Sequence, residues 1–108
     1  MDIDEIKKVV NGWAQNQPLI KRAFIFGSQA RGDSQPDSDL DVAVELHLGA
    51  DDSNILSTWI FEEDEMKEGL QELIPFKLQL ELLDGQKTPR ILTAVKESGI
   101  MVYEDSND

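Results

Sequence analysis

The sequence predicts a small α/β (α+β) domain in which helices pack on one face of a mixed β-sheet. Three observations support this fold class. Apolar residues recur at helical spacing in some segments, alternate with polar residues in others, and are separated by short stretches containing glycine or proline. The predicted order is helix, strand, strand, helix, strand, helix, which is typical of helices layered on a sheet. With 108 residues, the chain is expected to form a single domain over 1–108 with one hydrophobic core.

The first two elements are a helix and a buried strand. Acids in the first turn and apolar residues at helical spacing predict an amphipathic helix that ends before Pro18. The run from Arg22 to Phe26 is short, apolar and aromatic, and Gly27 ends it, so it is predicted to be a buried strand. The apolar positions of the helix are Ile3, Ile6, Val9, Val10 and Trp13.

The second strand is predicted from the alternation of polar and apolar residues over Asp39 to Glu45. Successive side chains of a strand point to opposite faces, so one set faces the core and the other set shares the opposite surface. The carboxylates of Asp39 and Asp41 are therefore neighbours on one strand surface. The inward set is Leu40, Val42 and Val44, and the outward set is Asp39, Asp41, Ala43 and Glu45.

A long helix and a third strand follow a polar loop. Apolar residues at helical spacing predict the helix over Asn54 to Ile74, with a break near Glu62 to Glu65 left open. Pro75 ends the helix, and Phe76 to Leu82 alternates as the third strand.

The last elements are a helix and an edge segment. Pro89 suits the first position of a helix, which Gly99 closes. Ile100 to Tyr103 is then expected at the edge of the sheet. Residues 104–108 are expected to form a disordered tail.

The acidic composition restricts the classes of partner. The formal net charge is −12, which disfavours direct nucleic-acid binding because that binding depends on Lys and Arg. A small phosphate compound remains compatible if a divalent cation offsets the repulsion. The chain has no cysteine, so thiolate metal sites and disulfides are excluded. No signal segment or apolar run of membrane length occurs, which predicts a cytoplasmic protein without a membrane partner.

The segment after the first strand has the glycine spacing of a P-loop, with Gly27 and Gly32 in the expected places. Asp33 stands where the phosphate-binding lysine belongs. An anion at that position would repel the phosphates that a P-loop holds, so this motif is rejected.

The acids that follow begin like a calcium-binding loop, because Asp37, Asp39 and Asp41 are spaced by single residues. That loop needs glycine at its sixth position and glutamate at its twelfth. Val42 and Leu48 stand there instead, and the segment is predicted to be a strand, so a calcium loop is rejected.

A third pattern uses the whole segment: Gly27-Ser28 after a strand, a polar turn with Ala-Arg-Gly, then Ser38-Asp39-Leu40-Asp41 on the next strand. This pattern resembles the DNA polymerase beta-like nucleotidyltransferase superfamily, in particular its minimal members, called MNT-type. Their signature is Gly-Ser, a spacer, then Asp-x-Asp. The resemblance extends to the order of elements over most of the chain, and it implies a mixed sheet with helices behind it and the nucleotide in front.

The resemblance also implies roles for individual residues. Asp39 and Asp41 are expected to be the catalytic carboxylates and to hold Mg²⁺ or Mn²⁺. Gly27 and Ser28 are expected to bind the phosphates of a nucleoside triphosphate, with ATP as the expected substrate. Arg31 either contacts phosphate or forms a salt bridge with a neighbouring acid.

Members of the superfamily carry a third carboxylate on the next strand, and here the sequence departs from the pattern. Alignment on Pro75 brings Lys77 or Gln79 to that position, and neither side chain is an anionic ligand. Glu81 shares their predicted face about 7 Å further along the strand. Glu81 is therefore the candidate third catalytic carboxylate, and an activity that is weak or absent is the alternative.

Three functions are compatible with these features. The first is a Mg²⁺-dependent enzyme that transfers AMP from ATP to a hydroxyl of a partner. By resemblance, the chain is then the MNT-type antitoxin of a pair whose toxin is a helical HEPN-domain protein. The second is an antitoxin that neutralises a basic partner by binding alone. The third is a nucleotide sensor without transfer, in which the triphosphate shifts the state of an assembly such as a homo-oligomer.

Overall fold

The computed structural model describes residues 1–33, 35, 37–47 and 55–105 of the chain. Its helices and strands follow the order expected from the sequence, with a short helix added after the first strand and a 3-10 turn added at Gly85–Lys87. The helices are α1 (Ile3–Gln15), α2 (Ser28–Arg31), α3 (Ile55–Gln71) and α4 (Pro89–Ser98), and the strands are β1 (Ile20–Phe26), β2 (Leu40–Leu46), β3 (Leu78–Leu82) and β4 (Ile100–Glu104).

The strands form one sheet in the order β3-β2-β1-β4. β1 is antiparallel to both of its neighbours, whereas β2 and β3 run parallel. A parallel pair needs a long crossover connection, and α3 lies in the connection between β2 and β3. The prediction of a small mixed sheet with helices is confirmed, and β1 and β2 are its central strands.

Helices α1 and α3 cover one face of the sheet. A capping box begins α1, in which the Asp2 side chain accepts a hydrogen bond from the Glu5 backbone N–H at 2.9 Å. Trp13 connects the two helices, because its indole N–H donates to the Met66 carbonyl at 3.2 Å. Burial of the apolar side chains between these helices and the sheet is the main source of stability. They include Ile6, Val10, Trp13, Ile25, Leu40, Val42, Val44, Trp59, Met66 and Leu70.

Helix α4 packs on the opposite face of the sheet, which corrects the expectation that the helices pack on one face. The reason is visible in β1, where residues 23–26 are apolar at successive positions, so that both faces of the strand need cover. A second, smaller apolar cluster results. It consists of Phe26, Ala43 and Leu83, with Phe24, Ile91, Leu92, Ala94 and Val95 packed against them.

The structure decides one alternative that the sequence left open and corrects one expectation. The break left open near Glu62 to Glu65 does not occur, because α3 is continuous from Ile55 to Gln71. The predicted disordered tail does not begin at Glu104, which belongs to β4, and the N–H of Asp105 donates to the Lys21 carbonyl at 2.8 Å. Residues 48, 54 and 106–108, on which other expectations fell, lie outside the described residues. None of the described helices is long and apolar enough to cross a membrane.

Candidate functional site

Asp39 and Asp41 lie together at the beginning of β2. Asp41 is paired with Phe26 of β1 on one side and with Gln79 of β3 on the other. Asp39 immediately precedes Leu40, the first residue of the strand. Both aspartates are half-buried. The alternation of the strand thus brings the two carboxylates to the same face, on the central part of the sheet.

Gly27 follows β1 in a conformation that other residues rarely adopt. Its φ of 76° and ψ of −155° lie in a region used almost only by glycine. A Cβ atom at this position would lie 3.2 Å from the carboxyl carbon of Asp41 and would overlap a carboxylate oxygen. The backbone approaches the Asp41 carboxylate this closely because residue 27 has no side chain. The N–H of Gly27 donates to Ser98 Oγ, in α4, at 3.0 Å.

Burial raises the pKa of the Asp41 carboxyl above its ordinary value, and the charges of Asp39 and Glu81 raise that pKa further. The positive charge of Arg31 acts in the opposite direction, as the smallest of these contributions. The effects that raise the pKa reflect the free-energy cost of holding a negative charge away from water and near other negative charges. The site therefore carries an excess of negative charge that a cation would relieve.

The short helix α2 follows Gly27 and contains two of the predicted residues. Ser28 is its first residue and is half-buried. Arg31 is exposed at its end, where its Nε lies 3.2 Å from Asp33 Oδ2. This ion pair corresponds to the salt-bridge alternative considered for Arg31, although an exposed pair contributes little stability. Arg31 is nevertheless close enough to Asp41 to influence its pKa.

Strand β3 borders the aspartates and determines which residue stands opposite them. In the parallel register, Gln79 is paired with Asp41, and Glu81 is paired with Ala43. The Gln79 amide Nε2 donates to Asp39 Oδ2 at 3.0 Å. Lys77 is exposed, and its carbonyl accepts a hydrogen bond from Leu40 at 2.9 Å. Of the three candidates for the third position, the amide of Gln79 therefore lies nearest to the aspartates in register.

The carboxylates suit a hard cation, but they do not form a complete metal cage. Within the described ranges, no group of three or more His, Cys, Asp and Glu side chains is arranged to hold a metal ion. Mg²⁺ is usually bound through one or two protein carboxylates together with substrate phosphates and waters. The pair Asp39 and Asp41 fits this second arrangement, in which the cation arrives with a phosphate ligand.

A cleft of about 350 Å³ lies where β3 meets the beginning of α4. Glu81 lines it from the sheet, and the remaining lining comes from the turn and first residues of α4. Glu81 is two residues from Gln79 on the same strand face, roughly 7 Å along the strand. The charge of Glu81 also raises the pKa of Asp41, so Glu81 links the cleft to the aspartates. The residues that line the cleft are Glu81, Thr88, Pro89, Arg90 and Ile91.

Sequence reasoning missed two residues that hold the site in place. Ser98 accepts the N–H of Gly27 although 71 positions separate them. Gln29 is buried in α2, and its amide lies 3.5 Å from the Ser38 carbonyl, which joins α2 to the chain before Asp39. A buried amide in a polar segment gives no periodic signal, and the contact of Ser98 depends on the position of α4. Neither contact is encoded in a local pattern.

Comparison with protein-family models gives a match over nearly the whole chain. The model described as "Polymerase beta, Nucleotidyltransferase" matches residues 7–108. A comparison with proteins of curated function gives no match.

Solved structures share the fold over the full length of the chain. The crystal structure of a toxin-antitoxin with AMP-PNP has a TM-score of 0.64 at 21% identity, covering 100% of this chain and 77% of that chain. The toxin-antitoxin MntA-HpeT with two aspartates changed to glutamate has a TM-score of 0.63 at 19% identity, covering 100% and 77%. MntA-HpeT with a tyrosine changed to alanine has a TM-score of 0.61 at 21% identity, covering 100% and 76%. At these identities the likeness establishes the fold.

Proposed function

We propose a nucleotide-transfer function for this chain, which belongs to the polymerase beta nucleotidyltransferase family. The expected reaction transfers a nucleoside monophosphate, AMP from ATP, to a hydroxyl of a protein partner, with Mg²⁺ or Mn²⁺ as the cofactor. The observation that carries the proposal is the contact between Gly27 and Asp41, because a side chain at position 27 would overlap the Asp41 carboxylate. Two half-buried carboxylates beside an open backbone suit a phosphate ligand that brings its own cation.

The residues of the site have distinct proposed roles. Asp39 and Asp41 bind the cation, and Gly27 permits close approach of the phosphates to the backbone. The Ser28 hydroxyl donates to a terminal phosphate, and Arg31 adds positive charge at the rim of the site. Asp39 and Asp41 would hold a divalent cation, which when bound would supply neutralisation of the charge that develops on the attacking and leaving oxygens.

The bond changes follow from the chemistry of the triphosphate. The acceptor oxygen forms a bond to the α-phosphorus, and the bond between that phosphorus and the bridging oxygen of pyrophosphate breaks. The acceptor proton passes to a base, for which Glu81 is the proposed group because it lines the cleft and its charge acts on Asp41. Pyrophosphate leaves with the electron pair of the broken bond.

Transfer is tested with ATP labelled at the α-phosphorus and, in parallel, at the γ-phosphorus. Nucleotidyl transfer predicts that a partner protein acquires the α-label and not the γ-label, in the presence of Mg²⁺ or Mn²⁺. The double variant that carries both Asp39→Asn and Asp41→Asn is expected to reduce labelling at least about 100-fold. This is the size typical for loss of a group that stabilises a transition state. Asp37→Asn is the matched control, because Asp37 is exposed in the same segment. Transfer of the γ-label instead would refute nucleotidyl transfer.

A protein partner is proposed from the outer surface of α3. Leu56, Ile60 and Phe61 are 61%, 63% and 85% exposed in the first half of this helix. Exposed apolar groups of this size, when close together, often mark protein interaction sites. The acids that follow them along the same helix suit a basic partner, for which a HEPN-domain toxin is the proposed identity. These acids are Glu62, Glu63, Asp64, Glu65 and Glu68.

The partner proposal agrees with the structural relatives, which are toxin-antitoxin complexes. We assign the antitoxin role to this chain from its resemblance to MNT-type proteins, with which its nucleotidyltransferase family agrees. The acidic net charge of −12 supports binding to a basic protein by electrostatic attraction.

A second candidate function is neutralisation of the partner by binding without transfer. The observation that favours it is Gln79 opposite Asp41, where a carboxylate would complete a set of three. The two functions are separated by the double variant Asp39→Asn with Asp41→Asn. If the wild type never transfers label and the double variant still binds the partner with unchanged affinity, neutralisation by binding is supported. Transfer by the wild type that the double variant loses supports the enzyme.

A further inference from the structure

The Asp39 carboxylate receives a hydrogen bond from a side chain on a different strand. The donor is the Nε2 amide of Gln79, and the distance to Asp39 Oδ2 is 3.0 Å. The two residues are separated by 40 positions in the sequence, and the contact is partly buried. In the part of the chain that the structure describes, no other side chain donates to Asp39, so this contact engages one of its two carboxylate oxygens and leaves Oδ1 without a protein donor.

The pairing register of β2 and β3 places the Gln79 side chain within reach of Asp39. Gln79 is paired with Asp41, and the side chains at paired positions of neighbouring strands share one face. The amide therefore reaches Asp39 diagonally across the sheet. Because an amide does not ionise, Gln79 holds a carboxylate without adding a further negative charge to the pair.

The backbone before Asp39 is also held. The Gln29 amide lies 3.5 Å from the Ser38 carbonyl, and the Ser38 hydroxyl accepts the N–H of Gln35 at 2.7 Å. The chain leading into Asp39 and the side chain of Asp39 are thus constrained separately. Of these contacts, only the one from Gln79 acts on the carboxylate itself.

We propose that Gln79 is a positioning residue, whose amide fixes Oδ2 of Asp39 so that Oδ1 is presented to the cation of a metal-chelated nucleoside triphosphate. This inference rests on the proposed function. Groups that hydrogen-bond a metal-binding carboxylate orient it, and their loss typically lowers metal affinity 10–100-fold. The amide acts through Asp39 and does not contact the reacting atoms.

The test is the binding of a non-hydrolysable ATP analogue, measured by titration calorimetry with Mn²⁺ and again with EDTA. The variant is Gln79→Met, which is unbranched, similar in length and lacks the donor. The affinity measured with Mn²⁺ is expected to fall about 10-fold, whereas the affinity in EDTA does not change. Gln79→Leu is the second variant, so that a folding defect of one replacement does not decide the result.

Gln71→Met is the matched control for a purely structural amide. The Gln71 amide donates to the Phe76 carbonyl at 2.6 Å, and its oxygen accepts the N–H of Leu78 at 2.9 Å, so it anchors the start of the same strand. This replacement is expected to lower the unfolding temperature and to leave the gain in affinity caused by Mn²⁺ as it is in the wild type. If Gln79→Met and Gln71→Met have the same signature, the positioning role is overturned.

A double-mutant cycle shows whether Gln79 acts through Asp39. In an Asp39→Ala background, Gln79→Met is expected to cause no further loss of Mn²⁺-dependent affinity, because residues that act as a unit are not additive. Equal losses in both backgrounds would overturn the proposal. Failure of the wild type to bind the analogue with Mn²⁺ refutes the proposed function and this inference together. Binding that survives in folded Gln79→Met and Gln79→Leu overturns only the inference.

Discussion

The two faces of the β-sheet differ in how their residues are enclosed. On the face covered by α1 and α3, side chains such as Ile25 and Val42 are fully buried in a large apolar cluster. On the face covered by α4, the apolar cluster is small, and it adjoins the half-buried carboxylates of Asp39 and Asp41. The first face therefore supplies most of the free energy that stabilises the fold, and the second face holds polar groups whose burial is unfavourable.

The face covered by α4, which holds Asp39 and Asp41 and is called the site face below, carries groups in unfavourable states. Gly27 has a backbone conformation that other residues avoid, and burial together with the charges of Asp39 and Glu81 raises the pKa of Asp41. Such strain persists only where the surrounding structure holds it, and here the large apolar face supplies that support. We therefore expect replacements on the two faces to move stability and ligand binding in different ways.

The largest expected loss of stability comes from the apolar face. Ile25→Ala removes a fully buried side chain and leaves a cavity, so the free energy of unfolding is expected to fall by about 2–5 kcal/mol. The measurement is urea unfolding followed by circular dichroism. Ile91→Ala is the counterpart on the site face, where Ile91 is half-buried in α4, and a smaller loss is expected. Equal losses would show that the faces do not differ in this way.

Gly27→Ala tests the strained position of the site face. Alanine at position 27 must adopt a disfavoured backbone conformation, and its Cβ displaces the Asp41 carboxylate. We therefore expect a stability loss of about 1–3 kcal/mol and a loss of Mn²⁺-dependent nucleotide binding. Gly32→Ala is the matched control, because Gly32 also has a positive φ of 81°, but among the described residues no atom beyond its chain neighbours lies within 4 Å of a Cβ there. The control is expected to lose stability through strain alone and to keep nucleotide binding.

Asp41→Asn is expected to stabilise the fold while it abolishes metal binding. The replacement removes a charge that is unfavourable near Asp39 and Glu81, and gains of this kind are commonly about 0.5–2 kcal/mol at neutral pH. Because folding raises the Asp41 pKa, the folded state binds this proton more readily than the unfolded state does. The wild type therefore loses stability as pH rises through the raised pKa.

Thermal unfolding measured as a function of pH checks whether the stability of the wild type falls as pH rises. Well below the ordinary aspartate pKa of about 3.9, Asp41 is protonated in both states of the wild type, so the advantage of Asp41→Asn disappears. A stability gain of Asp41→Asn that stays constant from acid to neutral pH would show that the gain is not electrostatic in origin. Asp37→Asn, at an exposed position, is expected to change stability little at any pH.

The smallest expected change in stability comes from the outer surface of α3. Phe61 is 85% exposed, so Phe61→Ser is expected to change the free energy of unfolding by less than about 0.5 kcal/mol. Its affinity for the proposed basic partner, measured by titration calorimetry, is expected to fall on the order of 10-fold, as for an aromatic anchor of an interface. Unchanged affinity would remove Phe61 from the partner surface.

Much of the fold is predictable from the sequence because the signals are local. Helical spacing predicts α1 and α3, and alternation predicts β2 and β3. The position of α4 is not predictable in this way, because the face on which a helix packs depends on where it crosses the sheet. The successive apolar residues of β1, including Phe24 and Phe26, were a signal that both faces are covered.

The candidate site also has one part that the sequence predicts and one part that it does not. The Gly-Ser and Asp-x-Asp pattern predicts that Gly27 and Asp41 belong together, and the structure brings them into contact. The residue opposite Asp41 depends on the register of β2 against β3, and a long crossover that includes α3 separates these strands. A register across such a connection leaves no trace in the local sequence, so the sequence alone does not decide whether Lys77 or Gln79 stands opposite Asp41.

Helix α4 has a further consequence for motion. None of its residues, Pro89–Ser98, is fully buried, whereas α1 and α3 each bury four. A helix with so few enclosed contacts opens at a lower free energy than the global unfolding of the domain. Its amide hydrogens are therefore expected to exchange with solvent deuterium earlier than those of α1. Because Ser98 of α4 holds the Gly27 N–H, each such opening would release the loop beside Asp41 while the rest of the molecule stays folded.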